Sequence, residues 1–393
     1  MKKKQEYNDI EKELDLQSFV NSVESGFKDL IDPRSHKNQD YSLMSLIIMI
    51  LCAVIAGANS ITAIHQYAKL KIHMFNQLIG VTNTPSYMVF WWLLTRMNPK
   101  PLQDAFIKWV SQLPTEVSSK IIAVDGKHLR GLMGDKGIHL VAAWECNKGL
   151  LLGQIKAEEK SNEITAIPEL LEMMDIKGST ITIDAAGCQK KIVKKICEKG
   201  AKYMIALKGN QGILSEEAKN FFIQARAVDF AEDTHCIVSR TIEKGHGRIE
   251  EREVVVTNNL DWLSIKKEWE GLKSLVEVTS VRISKGKKSE EKRYYMSSGE
   301  WSSEEAGIVV RSHWSIENHL HWTMDVIFRE DESLANTGHA GENLAMFKRM
   351  ALTLIKEEIG GSTGIAAKRR EAAWDDSCGV RIIGQLFRGV KSF

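Results

Sequence analysis

The chain has 393 residues, long enough for two or three domains with real cores. Its 43% hydrophobic and 26% charged content are those of an ordinary soluble protein. A net charge of +2 gives no averaged preference for nucleic acid, so any such preference must come from how the charges are distributed.

The opening "MKKKQEYNDIEKELD" has no apolar stretch behind its lysines and does not read as a signal peptide. The six cysteines, Cys52, Cys146, Cys188, Cys197, Cys236 and Cys378, form no CxxC pair. That argues against a zinc site or a disulfide framework and fits a reducing cytosol. Residues 1–110 read as a helical N-terminal domain. "DPRSHKNQDYS" is a polar lead into the longest apolar run, Leu43 to Ala58. At 16 residues that run is short of the roughly 18–20 a membrane span needs and is expected to be a buried helix. "TNTPSYMVFWWLLTRM" then offers a Thr/Pro/Ser helix start followed by aromatics. Such a domain could hold DNA or simply pack.

Residues 118–208 change rhythm. "KIIAVDGK" predicts a strand ending in Asp125. "IHLVAAWE" and "LLLGQIKA" predict two more, joined by the turn "CNKG". "SNEITAIPELLEMM" reads as a helix capped by Ser161 or Asn162, "STITIDAAG" as a strand ending in Asp184, "CQKKIVKKICEKG" as a helix closed by Gly200, and "KYMIALKGN" as a fifth strand. The first three strands can form a meander. A right-handed crossover then lays the fourth parallel to the first, with Asp125 and Asp184 side by side at their ends. Residues 209–300 read as a β-rich insertion, with a hairpin about a Gly-His-Gly turn in "CIVSRTIEKGHGRIEEREVVVT" and strands in "LKSLVEVTSVRIS" and "EKRYYMSS".

Residues 301–358 carry a further helix, "RSHWSIENHLHWTMDVIFREDE". At about 100° per residue, Glu317 shares a face with Trp314, Leu320, His321, Met324 and Phe328, while Ser312, Ser315, His319 and Thr323 point away. An inward carboxylate needs a partner: an arginine, a proton or a metal ion. Arg311 on the same flank, pairing with Asp325 or Glu317, is the simplest of these. "ENLAMFKRMALTLIKEEI" returns to helix, and residues 359–393 read as a basic C-terminal tail.

Two aspartates on adjacent strand ends repel unless a cation lies between them. With Glu317 they form an all-oxygen set suited to two Mg²⁺ or Mn²⁺ ions and to phosphodiester displacement. The candidate nucleic-acid contacts are Lys127, Lys190, Lys191, Lys194, Lys208, Arg311, Trp314 and Asn318, of which the α-helical lysines form a basic stripe after Asp184. "GLMGDKG" lacks the Gly-Lys-Ser/Thr of a phosphate loop, so no nucleotide cofactor is expected.

The stretches "IIAVDGKHLRG", "KSNEITAIPELLEMMDIKGSTITIDAAGCQKKI", "ALKGNQ", "KGHGRIEEREV" and "RSHWSIENHLHWTMDVIFREDES" together resemble insertion-sequence transposases of the H-repeat-associated type, in the DDE group. "FKDLIDPRSHKNQDYSL" resembles the helical domain associated with that catalytic domain, and the likeness covers nearly the whole chain. It implies a ribonuclease-H-like mixed α/β sheet with an inserted β-rich domain. By position it puts the family's metal-binding triad on Asp125, Asp184 and Glu317. It also implies double-stranded DNA (element ends and target) as partner, a homodimer in the DNA complex, no membrane, and a cytoplasmic, nucleoid-associated location. The Tyr-x2-Arg-x3-Glu-x6-Lys signature of many inserted-domain transposases is absent: Val310, His313, Glu317 and Met324 stand at those positions. The segment after Trp374 fits the pattern less well. A ribonuclease-H-like nuclease without joining activity, or an inactive DNA-binding remnant, is the alternative.

Overall fold

The computed structural model describes residues 27, 30–34, 39–112, 120–129, 137–157, 163–245, 247–284, 286–333, 335–358 and 364–385. The cap at Ser161 or Asn162 and His246 of the Gly-His-Gly turn lie outside the described residues.

The long apolar run forms helix α1, Leu43–Ile55. Ser42 caps it by accepting the Ser45 backbone N–H at 3.0 Å, and every side chain from Leu46 to Ile55 is buried. No helix among the described residues is long and apolar enough to cross a membrane. Helices α2 (Ile61–Leu70), α3 (Ile72–Ile79), α4 (Tyr87–Arg96) and α5 (Pro99–Gln112) follow.

Nine strands among the described residues then form one mixed sheet. They are β1 (Ile121–Leu129), β2 (Ile138–Glu145), β3 (Leu150–Ala157), β4 (Thr180–Ile183), β5 (Lys202–Leu207), β6 (Cys236–Gly245), β7 (Arg248–Thr257), β8 (Ser274–Ser284) and β9 (Lys287–Ser297). The order is β3-β2-β1-β4-β5-β9-β8-β7-β6. The β1–β3 meander is antiparallel, and β4 lies parallel to β1 and β5. This is the ribonuclease-H-like mixed arrangement expected. The helices between its strands are α6 (Glu163–Glu172) and α7 (Lys190–Glu198).

Three features differ from the sequence-based expectation. Strand β1 does not end at Asp125 but continues to Leu129, because β2 pairs with it beyond the point where β4 stops. The insertion does not form a sheet of its own: β9 pairs antiparallel with β5, so β6–β9 prolong the central sheet. It also begins with a helix, α8 (Gly212–Ala227), that covers apolar surface with Leu214, Ala218 and Phe222.

After β9 comes α9 (Ser303–Ser315), opened by a capping box between Ser302 and Glu305. The chain stays helical through Ile327, then reaches α10 (Ala340–Glu357). Residues 364–385 are not a loose tail: α11 (Ile365–Trp374) and α12 (Asp376–Gly384) pack beside α1 and α10. Two of the basic residues read as tail charge are inward. Lys368 donates to the Ile355 and Glu358 carbonyls at 3.2 and 2.6 Å, and Arg369 donates to the Val54 carbonyl at 3.0 Å. The helices on either side of the sheet in sequence therefore share a single core with it.

Helix α10 is seated on α4 by its N-terminal turn. The His339 N–H donates to the Thr95 carbonyl at 2.9 Å, and Asn343 Nδ2 donates to the Leu94 and Met97 carbonyls at 2.9 and 2.8 Å. Gly338 permits this approach. Its φ is +53°, and a Cβ there would run into the Thr95 carbonyl oxygen. Gly338→Ala is expected to destabilise the fold by roughly 1–3 kcal/mol, read as a lower urea midpoint.

Candidate active site

Strand order reverses direction at β1: β2 and β3 lie on one side, β4 and β5 on the other. Such a point opens a crevice at the carboxyl ends of parallel strands. Val124 pairs with Ile183 as the last parallel rung of β1 and β4. The next residue on each strand is the aspartate, so Asp125 and Asp184 stand at the same level of the crevice. Asp184 then turns the chain: its Oδ1 accepts the Ala186 and Gly187 N–H groups at 2.9 and 3.3 Å.

The third carboxylate comes from the helix after α9. From Ile316 to Ile327 it is π-helical, interrupted at Trp322. The Trp322 N–H donates to the Glu317 carbonyl and the Phe328 N–H to the Thr323 carbonyl, both five residues back. The wider turn changes which residues share a face. Thr323, expected at the surface, is 4% exposed, while Trp314, expected inward, is 38% exposed. Leu320, Met324 and Phe328 are buried as expected. Glu317 itself lies at the mouth of the crevice, exposed rather than enclosed.

The charges are coupled. Burial, then the Asp184 charge, pushes the Asp125 carboxyl up to about 7; Glu317 and Glu163 add to the push, and the Gly126 N–H opposes it. Burial raises Glu317 above the ordinary carboxylate range, with Asp184 adding and the Arg293 guanidinium opposing. Asp184 thus acts on both of the others and Glu317 acts on Asp125, and no cation among the described residues offsets the push on Asp125. The oxygen-only donor chemistry fits hard divalent cations. As the side chains stand, no group of three His, Cys, Asp or Glu among the described residues is close enough to grip one ion. Asp184 is turned into its cap, and Glu317 is exposed.

Arg311 pairs with neither Asp325 nor Glu317, contrary to expectation. It clamps Glu243 of β6 with both guanidinium nitrogens, Nη2 to Oε2 at 2.9 Å. Asp325 instead holds Lys127, whose Nζ is also 3.5 Å from Glu330. Lys127 is therefore paired inside the protein, its side chain 10% exposed. Lys190 pairs with Glu268 at 2.6 Å and Lys194 with Glu198 at 3.8 Å. Lys190, Lys191, Lys194, Lys208 and Asn318 are exposed, and Arg293 stacks over Trp314 at 4.7 Å.

Four groups of the crevice were not singled out from sequence. His321 places Nδ1 3.7 Å from Asp125 Oδ2. Burial, then the charges of Lys127 and Arg349, pushes it down to about 3, so its imidazole is neutral. Its spacing of four from Glu317 was the available signal. Glu163, in the first turn of α6, bonds His139 of β2. Gly126 leaves room for that pair, since a Cβ there would collide with Glu163. Nothing in the local sequence links them to Asp125. Arg293 carried only the signal of a basic stretch. His313, at the arginine position of the absent signature, meets Thr182 Oγ1 through Nδ1 at 3.0 Å and ties α9 to β4.

The family described as "Transposase DDE domain" matches residues 117–354, and the family described as "DDE_Tnp_1-associated" matches residues 25–110. YncI of Escherichia coli O157:H7, whose name assigns it provisionally to the transposases, is 36% identical over 87% of this chain and 89% of its own length. YhhI of Escherichia coli, named in the same provisional way as an H repeat-associated transposase, is 35% identical over 88% of this chain and 93% of its own. A solved piggyBac transposase synaptic complex with hairpin DNA aligns with 95% of this chain and 78% of its own at TM-score 0.43 and 11% identity.

Proposed function

Because this chain belongs to the DDE transposase family, with its associated helical domain ahead of the catalytic one, we propose that it cuts DNA at the ends of an insertion sequence and joins the freed ends to a target. The observation that carries the reading is the in-register placement of Asp125 and Asp184 where strand order reverses, with the Glu317 charge acting on Asp125. Two Mg²⁺ or Mn²⁺ ions, held by Asp125, Asp184 and Glu317, would supply an activated oxygen nucleophile and stabilisation of the leaving oxygen.

The chain's own residues prepare this. Burial and like charge push the Asp125 carboxyl up to about 7, so a divalent cation bound there would favour its ionised form. Neutral His321 sits beside it without adding competing positive charge. Arg293 and the His313–Thr182 bond position the segment that bears Glu317. Duplex DNA is the substrate in this reading, with the exposed Lys191, Lys194, Lys208, Trp314 and Asn318 near the crevice as candidate contacts. A homodimer holds the two ends.

The test is incubation of the purified chain with duplex carrying the inverted repeats that flank its gene. We expect nicks at the repeat ends and joined products, both requiring Mg²⁺ or Mn²⁺. Asp184→Asn or Glu317→Gln should each lower both by about a hundredfold or more. Metal-dependent nicks without joined product would instead identify a nuclease. Binding without cutting would identify a remnant that has lost chemistry.

A further inference from the structure

The outer ends of β6 and β9 are exposed, although Arg311 of α9 reaches Glu243 on β6. In β9, Lys287 to Lys292 are all exposed, while Tyr294 to Ser297 are buried. In β6, Thr241 to Gly245 are exposed. The four strands thus form a flap whose inner half is buried in β7, β8 and β9 and whose outer half is exposed or half-buried.

Charge along this flap is segregated by sign. The turn segments "KGHGR" (244–248) and "RISKGKK" (282–288) contain six Lys or Arg and no acid. Acids begin two rungs in from the turns, where several meet cations: Glu243 with Arg311, Glu250 with Arg252 and Arg282, Glu291 with Arg293. At the tips Lys244, Arg248, Lys287 and Lys288 make no ion pair with another described residue.

The two turns stand together. Gly245 pairs with Arg248 and Ser284 with Lys287, so each turn has two residues, closed by Gly247 at φ +73° and Gly286 at φ +75°. Arg248 in turn pairs with Ser284 across β7 and β8. Four free cations are therefore gathered at one end of a narrow sheet. Further along the flap, Arg293 of β9 acts on Glu317 at the crevice, while Arg311 of α9 clamps Glu243 near the outer end of β6.

We infer that the paired hairpin tips grip the phosphate backbone of duplex DNA to one side of the cut, through Lys244, Arg248, Lys287 and Lys288. This rests on the proposed action on DNA ends. From Arg293 to Lys287 the strand runs roughly 20 Å at about 3.4 Å per residue. That equals about six base-pair steps of B-DNA. The grip positions the duplex without reading its sequence, since lysines act as point charges toward phosphates.

The experiment compares the full chain with a Lys244→Ala/Arg248→Ala/Lys287→Ala/Lys288→Ala variant on end duplex, over a salt series, with hydroxyl-radical footprinting. A Lys69→Ala/Lys108→Ala/Lys219→Ala variant, removing exposed charge from α2, α5 and α8, serves as control. Four lost phosphate contacts should lower the slope of log K against log salt by about 3 to 4. Affinity near 0.15 M salt should fall at least tenfold, and protection about six base pairs from the cut should vanish, while the control binds like the wild type. Circular dichroism of the variant confirms that only exposed tips were altered. Wild-type binding with an unchanged slope and footprint in the variant overturns the grip and leaves the proposed function standing. No wild-type binding to end duplex overturns both.

Discussion

Asp125→Asn is expected to reduce cleavage and joining of end DNA by about a thousandfold or more, and at the same time to stabilise the metal-free protein above neutral pH. The first effect follows from removing the charge that the site offers a divalent cation, a loss of several kcal/mol of transition-state stabilisation. The second follows from the electrostatics of the crevice. Burial and then Asp184 push Asp125 from an ordinary 3.8 up to about 7. A folded-state pKa above the unfolded one means that the folded protein holds the extra proton between those values. The stability this confers is fully present below about pH 4 and is lost as pH rises through about 7. A shift of that size corresponds to roughly 4 kcal/mol as an upper figure. Asparagine cannot ionise, so the variant should lack this slope. Urea midpoints at pH 5 and pH 8 in chelator check it: the wild type should weaken between them and the variant should not. Divalent cations should restore the wild type at pH 8 and do little for the variant. An equal pH slope in both proteins, or a variant that still joins DNA at the wild-type rate, would remove Asp125 from the site.

The two aspartates were legible in sequence because they depend on short-range rules. A strand-strand-strand-helix-strand order and a right-handed crossover suffice to bring β4 beside β1. The environment of Glu317 was less legible. A face computed at the α-helical step assigns Trp314 and Thr323 to the wrong sides once the backbone hydrogen bonds step by five. No residue pattern in "SIENHLHWTMDVIF" announces that change of step. Arg311 illustrates a second limit. Its partner Glu243 is far away in sequence, and only the pairing of β9 with β5 brings the flap within reach. Alternating strands in the insertion show that a sheet forms but not whose edge it joins. The same holds for Glu163, whose charge acts on Asp125 because α6 packs over β2 and β3.

Arg349→Met is expected to be the most damaging single substitution outside the crevice, at roughly 3–5 kcal/mol. Arg349 and Glu330 are each 1% exposed. The guanidinium meets both carboxylate oxygens, Nη2 to Oε2 at 3.1 Å, and Nη1 also donates to the Ala345 carbonyl at 3.1 Å. Burial alone would raise Glu330, yet the Arg349 charge, with Lys127 and Lys348 beyond it, holds the carboxyl below its ordinary range. Removing the guanidinium leaves a buried carboxylate with only Lys127 at 3.5 Å and the more distant Lys348 charge for relief. Its pKa should rise above the unfolded value. The variant should therefore be least stable at alkaline pH and recover as pH falls, opposite to what the native pair dictates. Glu330→Leu/Arg349→Met removes both charges and should return most of the lost stability, because the cost lies in the orphaned charge rather than in a net gain from the pair. Urea midpoints of the single and double variants at pH 6 and pH 8 distinguish the cases. A single variant within 1 kcal/mol of the wild type, or a double variant weaker than the single, would mean that the pair is solvated and does not seat α10 against the Glu317 segment.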